Sequence, residues 1–423
     1  MMRNRTRFVA AAALAAATLA TTISPAAGDP PAAAGTAVIE WNAIAVDTVL
    51  ADSRTRTPSA SSLYVAIAQA AVYNATMAIE RTHALYESSL RAPRRASVEA
   101  AVAAAARGVL VEYFPAQQPA LDTAYTAALA TVDDGRAEDE GVAIGEAAAA
   151  EMVARRETDG RFASVPEPPD GDEPGEWRRT SPGASVTPWT ASVTPFLVRS
   201  PEQFRPDGPN ALTSSEYAQQ WDEVRRLGAR TGSQRTAEQT EIARFWSDNT
   251  VGQFNRALRG LALERGLTNG QAARLFAMTS LTGADAMITC WSTKYHYSFW
   301  RPITAIRLAD TDGNPATTAD PAWEPFSTTA NHPEYTSGHA CLTGAVSRAL
   351  REFLGTSHIE LTIDAAVADT TVHHFATVED LRTEVENARI YGGDHFRLGG
   401  SDGTESGDAV ARWALRRFFQ PVG

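Results

Sequence analysis

The sequence predicts an all-α protein: two packed helical bundles with a long proline-rich connection between them. Three observations carry the prediction. Apolar residues recur at helical spacing through both halves, no run shows sustained β-branched alternation, and prolines cluster between residues 158 and 212. Alanine-rich helices separated by short polar breaks pack most naturally as bundles.

The first 27 residues read as a secretory signal peptide. Arg3, Arg5 and Arg7 precede an apolar run from Phe8 to Ile23, and Ser24-Pro25-Ala26-Ala27 offers small residues for cleavage. Secretion is therefore expected, and no later stretch is expected to cross a bilayer. An N-terminal bundle over residues 37–157 follows. Val38 to Leu50, Ser61 to Ile79, Ser97 to Tyr113, Leu121 to Val132 and Glu138 to Arg155 are its expected helices. In the connection, Pro166-Glu-Pro-Pro-Asp-Gly-Asp-Glu-Pro174 and Thr187-Pro-Trp189 break any helix, while Trp177 and Trp189 imply that it packs against something. Helices resume at residue 213, where Thr213-Ser-Ser-Glu216 forms a capping-box pattern. The C-terminal bundle, residues 213–423, is expected to carry the functional site.

Composition narrows the function classes. The net charge is −12 and there is no basic tract, so nucleic-acid binding is not expected. Only Cys290 and Cys341 are present, which excludes a disulfide scaffold or a cysteine-rich metal site. One bridge and two buried thiols both remain open. His373-His374 reads as solvent-exposed, because adjacent residues point to different sides of a helix or strand. Nothing in the composition fixes an oligomeric state.

Chemistry gathers in three segments. Among 38 basic residues Lys294 is the only lysine, which marks a place where arginine will not serve. Lys294 lies on a helix expected over about residues 268–300. Arg301, seven residues on, is expected on the same face at roughly 100° per residue, with Pro302 ending the helix. A compact cation beside a planar fork suits an oxyanion, and two cations also suit a helix C-terminus. In the second segment, Ser337 and Gly338 stand at a helix N-terminus, where free N–H groups favour an anion. His339 in the first turn can reach that anion as an acid or base; an ordinary serine cap reads the same way locally. In the third, a helix starting at Thr377 carries Arg389 near its end. Gly392-Gly393 can then turn His395 inward, although a helix stop with a stray histidine is the plain alternative.

Together, Lys294…Arg301-Pro302, Thr336-Ser-Gly-His339 and Arg389…His395 resemble the Lys-x6-Arg-Pro, Pro-Ser-Gly-His and Arg-x5-His pattern of the vanadium-dependent haloperoxidases. The acid phosphatases of the type 2 phosphatidic acid phosphatase superfamily share that pattern. Val193-Thr-Pro-Phe196, Gln203-Phe-Arg-Pro206 and Arg389-Ile-Tyr-Gly-Gly393 look like the secreted bacterial haloperoxidase branch. The resemblance implies two four-helix bundles and vanadate as cofactor, with His395 as the single protein ligand to the metal. It implies that Lys294, Arg301, Ser337, Arg389 and the Gly338 amide hold the oxyanion, that His339 is the acid–base group, and that Lys294 polarises the peroxide. Hydrogen peroxide, a halide and a small organic acceptor would be its partners, and hypohalous acid its product. A phosphatase would use the same pocket with His395 as nucleophile and His339 protonating the leaving group. A chain whose catalysis had decayed would bind the oxyanion and turn nothing over. Two positions depart from the pattern. Thr336 replaces the usual proline, and Gly399 stands where the family often places an aspartate that orients the last histidine.

Overall fold

The structure is a computed structural model that describes residues 36–366 and 371–422, so the expected signal peptide lies outside the described residues. The described residues form one compact unit of thirteen α-helices and one two-stranded sheet, in agreement with the expected helical class. The first half contains α1 (Thr36–Ala51), α2 (Pro58–Glu80), α3 (Val98–Tyr113), α4 (Gln118–Leu129) and α5 (Arg136–Arg156). Proline at the first position of α2 has its φ preset for a helix and lacks an N–H that would have no partner there. By length and composition α2 could cross a membrane, contrary to the expectation from sequence. Here every residue from Ser59 to Ile79 is buried inside the protein.

The connection packs against the body of the molecule, as its tryptophans imply. Trp177 is buried and its backbone N–H donates to the Ser298 carbonyl at 2.7 Å. The buried Asp285 carboxylate accepts the N–H groups of Phe196, Leu197 and Val198 at 2.6, 2.7 and 2.9 Å. These bonds hold the irregular backbone through its otherwise unpaired donors.

The second half contains α6 (Ser215–Leu227), α7 (Ala237–Phe245), α8 (Thr250–Glu264), α9 (Asn269–Tyr297), α10 (Pro302–Arg307), α11 (Gly338–Leu354), α12 (Val378–Tyr391) and α13 (Arg397–Leu415). Between α11 and α12, β1 (His358–Asp364) and β2 (Val372–Thr377) form an antiparallel hairpin. Three details differ from the sequence reading. The cap of α6 is Ser214, whose hydroxyl accepts the Tyr217 N–H at 3.1 Å, rather than Thr213. The hairpin is a small exception to the helical pattern, with Ile359, Leu361 and Ile363 buried on one face. Most consequentially, α9 stops at Tyr297, where Ser298 turns left-handed at φ 45° and returns its N–H to the Lys294 carbonyl. Arg301 therefore caps α10 and does not share a helical face with Lys294.

Helix α13 packs tightly on α11. A Cβ at Gly407 would lie 2.0 Å from the Cys341 carbonyl oxygen, and one at Gly344 would lie 2.2 Å from that of Thr404. Cys290 on α9 and Cys341 on α11 are buried free thiols on either side of Thr336.

Candidate functional site

Three segments converge on a cavity of about 220 Å³, lined among others by Arg301, His332, Gly338, His339, Arg389 and His395. Thr57, Pro58 and Ser59 at the start of α2, and Val186 from the connection, complete its wall. Hydrogen bonds fix these elements to one another. Ser59 Oγ lies 2.6 Å from Thr187 Oγ1, the Val186 N–H donates to the Asn331 carbonyl, and Trp291 Nε1 donates to the Val186 carbonyl at 3.1 Å. A wider hollow of about 580 Å³ adjoins the cavity, lined by Arg244, Asn249 and Phe326 together with His339 and Arg389.

Ser337 caps α11, its hydroxyl accepting the Ala340 N–H, and its own N–H donates to the Gly399 carbonyl at 2.7 Å. Gly338 begins the helix, so its N–H belongs to the first turn, whose donors have no partner within the helix. A Cβ at Gly338 would sit 3.2 Å from the Trp291 ring, which leaves little room for a side chain. His339 follows in the first turn, and its enclosed Nε2 has no hydrogen-bond partner. Burial, reinforced by Arg389, holds this imidazole well below the usual histidine range.

Arg389 is near the end of α12, as expected. One terminal nitrogen lies 2.7 Å from the Asp394 carboxylate, the other donates to the Trp246 carbonyl at 3.2 Å, and its enclosed Nε has no partner. Gly393 supplies the turn with φ 77°, a conformation that costs glycine little. It delivers His395 into the cavity.

His395 is held at both nitrogens. Nδ1 lies 2.9 Å from Glu334 Oε1, and Nε2 lies 3.1 Å from Arg301 Nη1. A guanidinium can only donate, so Nε2 is the acceptor and Nδ1 carries the hydrogen. Burial and then Arg301 keep the ring neutral, well below its ordinary pKa. Arg301 also donates to the His332 and Asp394 carbonyls at 2.8 and 2.9 Å, and burial pushes it down to about 10.

Lys294 and Ser337 are not in the cavity wall. Lys294 is completely buried behind it, donating to the Pro333 and Glu334 carbonyls at 2.9 and 3.0 Å. Burial pushes it down to about 8. An ammonium has three donors, so one remains. The sequence reading missed two members of this group. His332 sits 2.9 Å from Arg301 Nη2, and Glu334 holds His395. Both lie a few residues before Ser337, and the bare Gly399 was the available hint that another carboxylate served His395.

The donor set fits an oxyanion. Three buried cations, Lys294, Arg301 and Arg389, face two carboxylates, Glu334 and Asp394, while Arg389 Nε and His339 Nε2 are left without partners. The surplus buried positive charge and the unpaired Arg389 Nε donor are both costly, and a multiply charged anion would relieve both. Among the described residues no group of three or more His, Cys, Asp and Glu side chains is placed to hold a metal ion. One imidazole nitrogen surrounded by cationic donors suits an oxygen-clad metal better than a bare cation.

The family described as the VCPO second helical-bundle domain matches residues 274–422, the part that carries all three segments. A vanadium chloroperoxidase from Curvularia inaequalis is 27% identical over 199 residues, a match spanning 39% of this chain and 32% of that relative's length. A bacterial vanadium-dependent iodoperoxidase has the same fold, with a TM-score of 0.78 at 21% identity, covering 93% of this chain and 99% of its own. A bacterial vanadium-dependent chloroperoxidase in its holo form superposes with a TM-score of 0.70 at 20% identity, covering 85% and 92%.

Proposed function

We propose that this chain, a member of the vanadium-dependent haloperoxidase family, holds vanadate in its cavity and uses hydrogen peroxide to oxidise a halide to hypohalous acid. The observation that carries the reading is His395 Nε2, an unprotonated nitrogen in a cavity ringed by Arg301, Arg389 and the start of α11. Bound vanadate would supply Lewis acidity towards peroxide oxygen without changing its own oxidation state.

The chain's own residues do the rest. His395 Nε2 would hold the vanadium as its protein ligand. Arg301, Arg389 and the Gly338 N–H would balance the charge on the vanadate oxygens from an enclosed cavity, where such donors are strongest. His339, neutral because it is buried beside Arg389, can take a proton from an incoming peroxide and return it later. Lys294 adds its charge and its remaining N–H from behind the cavity. The adjoining hollow, with Arg244 and Phe326 in its wall, gives a halide and a small organic acceptor a route to His339. Secretion through the N-terminal leader is part of the proposal.

The test is oxidation of iodide, bromide and chloride by the purified protein with peroxide. Activity should require added vanadate and disappear when phosphate, a near-isostere, is present in excess. Halide oxidation that survives without vanadate and in phosphate would sink the reading. Hydrolysis of phosphate esters by the vanadate-free protein, without halide oxidation on reloading, would assign the pocket to phosphoryl transfer instead.

A further inference from the structure

We infer that Glu334 is the positioning residue of His395: its carboxylate, acting with the Arg301 N–H that Nε2 accepts, fixes the ring with hydrogen on Nδ1 and keeps the Nε2 lone pair at the cavity. The inference deepens the proposed vanadate site, since it names what prepares the nitrogen on which that reading rests.

Five observations carry it. Glu334 Oε1 accepts from His395 Nδ1 at 2.9 Å and from the Phe396 N–H at 3.0 Å, so the same oxygen grips ring and backbone together. The Glu334 side chain is 1% exposed and that of His395 is 3% exposed, so water does not compete for the bond. Other carboxylates nearby are engaged elsewhere: Asp394 pairs with Arg389, and Asp402 accepts from the Tyr335 hydroxyl. Lys294 donates to the Glu334 backbone carbonyl and thereby fixes the segment that carries the carboxylate.

The fifth observation concerns Gly399. A Cβ built there would lie 2.4 Å from Glu334 Oε1. In an aspartate, ordinary bond lengths place each carboxylate oxygen roughly 2.4 Å from Cβ. The Glu334 oxygen thus stands at the distance an aspartate on residue 399 would give its own oxygen. The two positions are alternative sources of one carboxylate, and this chain uses residue 334.

The experiment uses the full chain labelled with ¹⁵N-histidine. Two-bond ¹H–¹⁵N correlation in the vanadate-free protein reads the His395 tautomer, assigned by comparison with His395→Ala, and equilibrium dialysis with orthovanadate reads affinity. Wild type should carry hydrogen on Nδ1. Glu334→Ala should lose that single tautomer and bind vanadate about 10–100-fold more weakly, the usual effect of removing a group that orients a metal-binding histidine. The double variant Glu334→Ala/Gly399→Asp should recover both, which a merely structural loss would not do. A wild-type ring protonated on Nε2 would overturn the inference even if no variant folds. So would an unchanged tautomer with unchanged affinity in Glu334→Ala. A tautomer that shifts and is rescued as stated, in a protein that binds no vanadate at all, would uphold the positioning role and defeat the vanadate reading.

Discussion

Lys294 illustrates how a single residue can be singled out by composition and still be misplaced by periodicity. Its uniqueness pointed to the site, but its position depended on where α9 ends, and a left-handed Ser298 decides that. The ammonium occupies a closed slot between two backbone carbonyls, 5.7 Å from the Trp291 ring centroid. Lys294→Arg keeps the charge but forces a wider group into that slot. It should destabilise the protein by about 1–3 kcal/mol through overpacking and weaken vanadate binding by displacing the loop before Ser337. Urea denaturation and dialysis would check this, and wild-type values in both would refute it. His339→Ala should behave differently, keeping fold and vanadate affinity while losing about 10²–10⁴ in halide turnover, as removal of an acid–base group does. A variant that loses affinity in step with turnover would make His339 a binding residue. Local signals placed Ser337, His339, Arg389 and His395 at helix ends, and the resemblance of the three segments taken together to the family pattern gave them their roles. Glu334 was not legible, since its meaning lies in a contact to a residue 61 positions away.

Helices were easiest to read where alanine and leucine dominate, and hardest where glycine does. Helix α13 contains Gly399, Gly400, Gly403 and Gly407, residues that lower helix propensity and disguise the element. Their purpose is close approach to α11, whose first turn forms part of the site. Gly407→Ala would drive a methyl into the Cys341 carbonyl, at 2.0 Å, so the helices must separate. The expected result is a loss of about 1–3 kcal/mol in stability, with weaker vanadate binding as the start of α11 shifts. Unchanged melting would show that the contact relaxes freely. The hairpin escaped the sequence reading because its strands are short, and it corrects the view of His373-His374. His374 is exposed, but His373 on β2 is half-buried, stacked on Phe245, and bonded to Glu384 on α12 at 2.6 Å and Glu241 on α7 at 3.0 Å. Burial alone would lower its pKa; the hydrogen-bonded Glu384 and the nearby Glu241 outweigh that and raise it above 6.5. A raised folded pKa means that this stabilisation is complete below about pH 6.5 and is lost as pH rises through the folded value. His373→Gln should therefore remove a fall in stability on the alkaline side of pH 6.5. An identical pH profile in that variant would show that the cluster contributes nothing.

At the scale of the whole molecule, the order of helices and the presence of a long connection were legible, because both follow from local composition. Which helix touches which was not. Helix α2 was readable only as one member of an N-terminal bundle, yet it is buried on all sides, and its first residues share the cavity wall with α9, α11 and α12. The connection adds Val186 to that wall and is fastened to α9 through Asp285. The site is therefore built by residues from the whole described chain, although every one of its predicted oxyanion groups lies beyond residue 290. This has a consequence for stability. If the first helices and the connection cover the buried face of α9, the second half cannot keep its structure without them. A fragment of residues 213–423 should then be poorly soluble and should fail to bind orthovanadate. The intact chain should unfold in one transition, with far-ultraviolet dichroism and tryptophan fluorescence coinciding, as cooperative units do. Two separated transitions, or a soluble fragment with wild-type vanadate affinity, would mean that the second half is an independent domain and that the α2 wall is dispensable.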